Sequence, residues 1–286
     1  MNFLQLRKKY HRSVCEKIIR ITHKKGQDSY PNIADGSNLS SKKIAWELIN
    51  LIGCSSSSEP IPGQTAGNLF ELVTKEFLEE AFGLLQHLRP GKWMYSIKSD
   101  ISHFDQYKDL AKIDKIVRNN VDLATTIGLN YIVKPDIVIG RIPVSESEIN
   151  EPRRLVDLND PIAKLTPLRQ SNYSDPKPIL HASISCKWTL RSDRGQNART
   201  EALNLVRNRK GNLPHIVAVT AEPTPIRIAS LALGTGDIDC VYHFALNELK
   251  TAIANIKNED QMDMLNMLVE GGRVRDISDL PFDLAI

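Results

Sequence analysis

The run Ile179, Leu180, His181, Ala182, Ser183, Ile184, Ser185, Cys186, Lys187, Trp188, Thr189, Leu190 decides the fold, because its apolar side chains fall on alternate positions. Leu180, Ala182, Ile184, Cys186 and Trp188 alternate with His181, Ser183, Ser185 and Lys187, the period of two that an extended backbone imposes. The pattern predicts a half-buried strand with one face in the core and the other presenting Ser185 and Lys187. Working outward, residues 196–210 read as a helix, 214–220 as a buried strand and 239–244 as a further strand before two C-terminal helices. Upstream, residues 131–139 form a short β-rich run between Asn130 and Gly140, and Pro135 within it suggests an edge or bulged strand. Residues 42–52 and 67–88 carry apolar residues at helical spacing, with Leu69, Phe70, Val73, Phe77, Ala81 and Leu84 as one stripe of the second. Strands flanked by helices in this order place the chain in the α/β class.

The chain has 286 residues, 41% of them hydrophobic, enough to bury a substantial core, so one domain over 1–286 is expected. A formal charge of +3 suits a nucleic-acid-binding protein and many ordinary enzymes alike. Cys15, Cys54, Cys186 and Cys240 are scattered and form no CxxC pair, so neither a zinc ribbon nor a disulfide framework is predicted, and a reducing cytoplasm is the simplest setting. The basic start, with Arg7, Lys8, Lys9, Arg12 and Lys17, reads as a helix with a solvated or phosphate-facing side. No segment has the length and apolarity of a membrane span or a signal region. Residues 54–63 run through four serines and two prolines and read as a loop that delivers the chain to Gln64.

Hydrolysing a phosphodiester needs a metal that polarises phosphate and activates water, carboxylates that hold the metal, and a cation for charge developing on the phosphoryl oxygens. Asp136 follows Pro135; Lys187 lies 51 positions later on the polar face of the second strand; Glu201 lies 14 beyond that, on the following helix. Taken singly, each is equally consistent with an ordinary solvated residue. The absence of GxSxG and GxxxxGK sequences argues against serine-hydrolase and nucleotide-hydrolase chemistry.

The order Pro135, Asp136, then Ser185, Cys186, Lys187, then Glu201 resembles the PD-(D/E)XK nuclease signature, in the variant used by type II restriction endonucleases of the CCGG-core group. In the common form an acid stands two positions before the lysine. Here that position is Ser185, and the acidic role passes to Glu201, a swap characteristic of the group. The resemblance implies a restriction-endonuclease-like fold, a central mixed β-sheet flanked by helices, and Mg²⁺ held by Asp136, the Cys186 carbonyl and, through water, the Glu201 neighbourhood. Lys187 would orient the attacking water. Glu71 resembles an additional active-site acid of the family. It also reads as an exposed helix glutamate paired with Lys75 at spacing four. Gln64 and Glu71, seven residues apart, face the same way if the helix starts early enough.

Arg191, Ser192, Asp193 and Arg194 follow the second strand. Arginine pairs bidentately with guanine and aspartate accepts from cytosine N4, so Arg191, Asp193 and Arg194 suit a G·C-rich site; a salt-bridged loop is the alternative. A symmetric assembly would present the segment twice and read a palindrome. By resemblance the site is GCCGGC in double-stranded DNA, cut after the first G to leave four-base 5′ overhangs, within a bacterial restriction-modification system. Gln64 and Arg227 match positions that read the outer pair, although Arg227 also fits a surface arginine on a strand. The group works as a homotetramer, and residues 141–178, with Val144, Ile149, Leu155, Ile162 and Leu165, are the expected oligomerisation insertion. Two rivals remain open at this point: a structure-specific repair nuclease of the same fold, and a DNA-binding protein without hydrolytic activity.

Overall fold

A computed structural model describes residues 1–286 except 24–27, 56–58, 128–131, 191 and 235, and the side chains of 127 and 192–194 also lie outside the description. In chain order the regular elements are α1 (Phe3–Lys17), β1 (Ile21–Thr22), β2 (Tyr30–Pro31), α2 (Leu39–Ile52), α3 (Gly63–Gly83), β3 (Trp93–Ile97), α4 (Leu110–Arg118), α5 (Val121–Ile127) and β4 (Ile137–Arg141). They continue as α6 (Glu146–Ile149), β5 (Ile179–Lys187), α7 (Ser192–Asn208), β6 (His215–Thr220), α8 (Pro225–Ala232), β7 (Cys240–His243), α9 (Leu246–Asn255), α10 (Glu259–Glu270), β8 (Val274–Asp276) and α11 (Leu280–Asp283). Six strands follow one another in the hydrogen-bonded order β3-β4-β5-β6-β7-β8. The sheet is mixed, because β3 and β4 are antiparallel whereas β6, β7 and β8 run parallel. The chain thus has the α/β architecture that its alternating pattern predicted.

Two compact units are distinguished: Met1–Arg89, Ile184–Ala202 and Ile216–Ile286 form the first, Pro90–Ser183 and Leu203–His215 the second. In the first unit α1 packs on α3, α2 on α9, and α8 on α10. The helix starts are written locally: Asn2 and Gln5 form a capping box at α1, and Asn38 and Asn258 accept from the backbone N–H of Ser41 and Gln261 at α2 and α10. Gly53 ends α2 at φ 80°, a left-handed conformation that costs glycine nothing. In the second unit a Cβ at Gly140 would lie 2.8 Å from the Phe104 ring and 2.9 Å from Met94, so only glycine lets β4 lie this close to them.

Several expectations are corrected. The strand predicted over 131–139 begins at Ile137, because Pro135 lacks the N–H that a ladder needs, and β4 sits between β3 and β5 instead of at an edge. β5 is buried on both faces through Ser183, His181 and Ser183 included, since it is an interior strand; a half-buried face appears only from Ser185 onward. Strand β3 carries no alternation and was not predicted, and β8 follows the two predicted C-terminal helices. Leu84 is exposed, because α3 ends at Gly83. Cys15 and Cys54 are joined as a disulfide, against the expectation of none; their Cα atoms are 5.1 Å apart although 39 residues separate them, a proximity that linear spacing hides.

The basic face of α1 is mostly paired within the protein. Lys9 reaches Glu80 at 2.5 Å and Lys17 reaches Glu76 at 3.8 Å, both on α3. Arg7 turns inward, its guanidinium meeting Glu248 at 2.6 Å and Asp276 at 2.7 Å. Burial opposes ionisation of both acids, but hydrogen bonds and charge from Arg7 outweigh it and hold each carboxyl below the ordinary range. A lowered folded value stabilises the protein above the ordinary carboxylate range, and that stabilisation is lost as pH falls through the lowered value. Arg7→Met should therefore cost about 3 kcal/mol at neutral pH, the lower end for breaking a buried pair. It should also flatten the loss of stability between about pH 5 and 3. Urea unfolding at both pH values checks this.

Candidate active site and nucleic-acid interface

The end of β5 positions the sequence-predicted lysine. From Ile184 to Leu190 the residues alternate, with Ile184, Cys186, Trp188 and Leu190 buried and Ser185, Lys187 and Thr189 half-buried. The Lys187 carbonyl accepts from the Thr220 hydroxyl at 2.8 Å and from the Ala221 N–H at 3.3 Å, so the strand is tied to the end of β6 at this residue. Trp188 packs edge-on against Phe70 of α3, with ring centroids 5.2 Å apart. Its indole nitrogen is buried with no hydrogen-bond partner among the described residues. Helix α7 starts at Ser192, four residues earlier than predicted, and Glu201 is half-buried on it beside the packed stripe of Ala198, Ala202 and Leu205.

Asp136 belongs to the second unit, while Glu71, Ser185, Cys186, Lys187 and Glu201 belong to the first. Asp136 is half-buried directly before β4, and its carbonyl accepts from the Lys98 N–H at 3.1 Å. Arg191 lies outside the described residues, as do the side chains of Asp193 and Arg194, whose backbone forms the first turn of α7.

Helix α3 begins at Gly63, after Pro62, and therefore contains both Gln64 and Glu71, two turns apart on one side. Gln64 is exposed in the first turn and Glu71 is buried. The reading of Glu71 as an exposed partner of Lys75 is overturned: Lys75 pairs with Glu79 instead.

A cleft of about 860 Å³ in the first unit is lined by Trp188, Thr189 and Leu190, the three residues after Lys187, together with Gly63 and Ala66 of α3, Asp35 and Arg227. Arg227 stands in the first turn of α8 rather than on a strand. Its guanidinium pairs with the Asp35 carboxylate and also donates to the Leu190 carbonyl at 3.5 Å. The hydroxyl and backbone N–H of Ser37, with Arg227, hold the Asp35 carboxyl down at about 2. Asp35 was missed from the sequence because 192 positions separate it from Arg227, and Asp35, Gly36, Ser37 alone reads as a turn. An arginine and an aspartate on one cleft wall can serve the two halves of a G·C pair.

Among the described residues no three His, Cys, Asp or Glu side chains gather into a metal-holding group. The donor set implied by the family signature needs fewer: two carboxylates and a backbone carbonyl are hard oxygen ligands that suit magnesium, which keeps several waters.

Residues 10–286 match the NgoMIV restriction enzyme family. The chain belongs to that family. It is 48% identical, over 99% of both chains, to the type II restriction enzyme NgoMIV of Neisseria gonorrhoeae. Two solved structures are also similar: the type IIF restriction endonuclease Bse634I with cognate DNA, at 14% identity and a TM-score of 0.39 over 86% of this chain and 99% of that one, and the restriction endonuclease PspGI with substrate DNA, at 20% identity and 0.35 over 77% and 60%. This NgoMIV-family member is a type II restriction endonuclease, a site-specific deoxyribonuclease. Membership disposes of the reading as a binding protein without hydrolytic activity. The site's packing gives a simple check. Trp188→Ala should cost about 3 to 5 kcal/mol of unfolding free energy. Lys75→Ala, which removes a half-exposed i,i+4 helix pair, should cost under about 0.5 kcal/mol. Denaturant melts of the two variants compare them.

Proposed function

We propose that this endonuclease cuts double-stranded GCCGGC after the first G, with Mg²⁺, as a homotetramer formed by two back-to-back dimers. The observation that carries the reading is the cleft, which begins at the residue after Lys187 and ends at Arg227. A wall of this kind couples reading a base to cutting the backbone next to it.

The roles follow from residue chemistry. Asp136 and Glu201 supply carboxylates and Cys186 a backbone carbonyl for the metal, with Glu71 as a further acid. Magnesium, when bound, would polarise the scissile phosphate and acidify a water. Lys187 brings a compact ammonium that donates to a phosphoryl oxygen and holds the attacking water in line. Ser185, on the same half-buried strand face as Lys187, leaves the place of the usual second acid uncharged. Arg191, Asp193 and Arg194 would read the central CCGG, and Gln64, Arg227 and Asp35 the outer pair. We read residues 1–286 as one endonuclease domain.

The oligomerisation insertion rests on residues 141–178. Arg169 is buried there and binds Glu146 together with the carbonyls of Asp157 and Ile162, a knot that gives the segment its own order. Leu155, Leu158, Ile162 and Leu165 stay exposed, Leu165 by 91%, which is costly for a monomer and suits a subunit interface. We place the enzyme in the bacterial cytoplasm, where its DNA lies. No helix among the described residues is long and apolar enough to cross a membrane. The Cys15–Cys54 bond runs against that setting, whose thiols keep most cysteines reduced.

Digesting a mapped plasmid with Mg²⁺ and sequencing the ends tests the reading; cuts inside GCCGGC support it, and cuts at another sequence or at random defeat it. Asp136→Ala should abolish cutting while leaving binding of the site in Ca²⁺ intact, because a metal ligand is lost and a base contact is not. Arg194→Ala should weaken discrimination by ~1 to 3 kcal/mol, the worth of a bidentate base contact. Removing 141–178 should halve the particle mass seen by light scattering, and an unchanged tetramer would refute that role for the insertion.

A further inference from the structure

Leu190 is the third residue after Lys187, and both of its backbone polar groups are engaged by residues on the far side of β6. Its N–H donates to Glu222 Oε2 at 2.9 Å, and its carbonyl accepts from Arg227 at 3.5 Å. Glu222 is 1% exposed. Its other oxygen, Oε1, accepts from the Thr224 N–H at 3.2 Å and from the Thr224 hydroxyl. Thr224 in turn starts α8, its carbonyl accepting from the N–H groups of Arg227 at 3.0 Å and Ile228 at 3.1 Å. One buried carboxylate therefore stitches the third residue after Lys187 to the third residue before Arg227.

A carboxylate is costly to bury unless donors surround it, and here three donors converge on it. Burial still pushes its carboxyl above the ordinary range, against the pull of those donors. An interior needing only to be filled would take an apolar side chain more cheaply. What the carboxylate provides is acceptor capacity alone: it takes all three donors and contributes no N–H of its own. The corresponding amide would aim an NH₂ at Leu190 or at Thr224, so one end of the stitch would open.

We propose that Glu222 is a positioning residue for specificity, fixing the spacing between the Arg227 reader and the strand that ends in Lys187. It touches neither DNA nor the reacting atoms and acts through Leu190 and Thr224. The inference rests on the proposed function, in which Arg227 meets the outermost base pair. With the stitch open, Arg227 keeps its charge but loses its register against the strand end. Sites altered at their outermost pair are then excluded less well.

The test uses full-length enzyme and duplexes carrying the site that end sequencing returns, intact or changed at the outermost pair. Glu222→Gln, with circular dichroism and melting to show that it folds, should lower the kcat/KM ratio of intact over altered site by about tenfold, the scale of one charged hydrogen bond. Thr224→Val removes the hydroxyl donor but keeps the Leu190 bond, and should lower the ratio by a smaller factor in the same direction. If Glu222→Gln does not fold, Thr224→Val decides. A ratio unchanged while kcat falls equally on every duplex would overturn the proposal, because that is the signature of damage without positioning. Failure of the wild-type enzyme to cut any defined site would refute the proposed function instead, so the two failures are distinguishable.

Discussion

The end of β5 has to stop moving before anything else at the site can work. A lysine at the last position of a strand would fray with the loop that follows. Here its carbonyl is held by Thr220 and Ala221, the next ring is locked against Phe70, and Leu190 is gripped at both its N–H and its carbonyl. The half-buried face of Ser185, Lys187 and Thr189 is thereby held at the fixed end of β5 in the first unit. Sites built on fixed strand ends keep their geometry better than sites on free loops.

In the proposed function, that fixed strand end links reading to chemistry. The residues after Lys187 form one wall of the cleft, and Arg227, in the first turn of α8, forms another part of it. Arg227 is already engaged: Asp35 neutralises it and the Leu190 carbonyl accepts from it. If Arg227 reads the outer pair as proposed, a guanine edge would have to compete with those partners. An arginine already paired gives up less to a poor substitute than a solvated one would, so the pair favours selectivity over raw affinity.

Much of this could be read from the chain. Alternation along 179–190 announced the strand and the face of Lys187, and helical spacing announced α2 and the body of α3. Helix α3 begins four residues before its helical spacing does, since Gly63–Gly67 carries no apolar stripe and α3 has no side-chain cap. Strand β3 escaped because all five of its residues are only half-buried and so leave no periodic trace. The site divides in the same manner. Asp136, Lys187 and Glu201 are proposed from their order along the chain and its resemblance to the family signature. Asp35, Glu222 and the Cys15–Cys54 contact are products of tertiary proximity, 192 positions from Asp35 to Arg227 and 32 from Leu190 to Glu222, and no local pattern carries them. By sequence Glu71 fits both an exposed helix partner and a site acid, but its burial and the pairing of Lys75 with Glu79 rule out the surface role.

In the proposed function, distant carboxylates and one lysine serve a divalent metal beside a reader of guanine. A crystal structure with a GCCGGC duplex and Ca²⁺, which supports binding in place of cleavage, tests it most directly. The expected result is a cation held by the Asp136 carboxylate and the Cys186 carbonyl, with the Lys187 ammonium against the scissile phosphate and Arg227 on a guanine edge. A cation bound away from Asp136, or Lys187 remote from that phosphate, would contradict it.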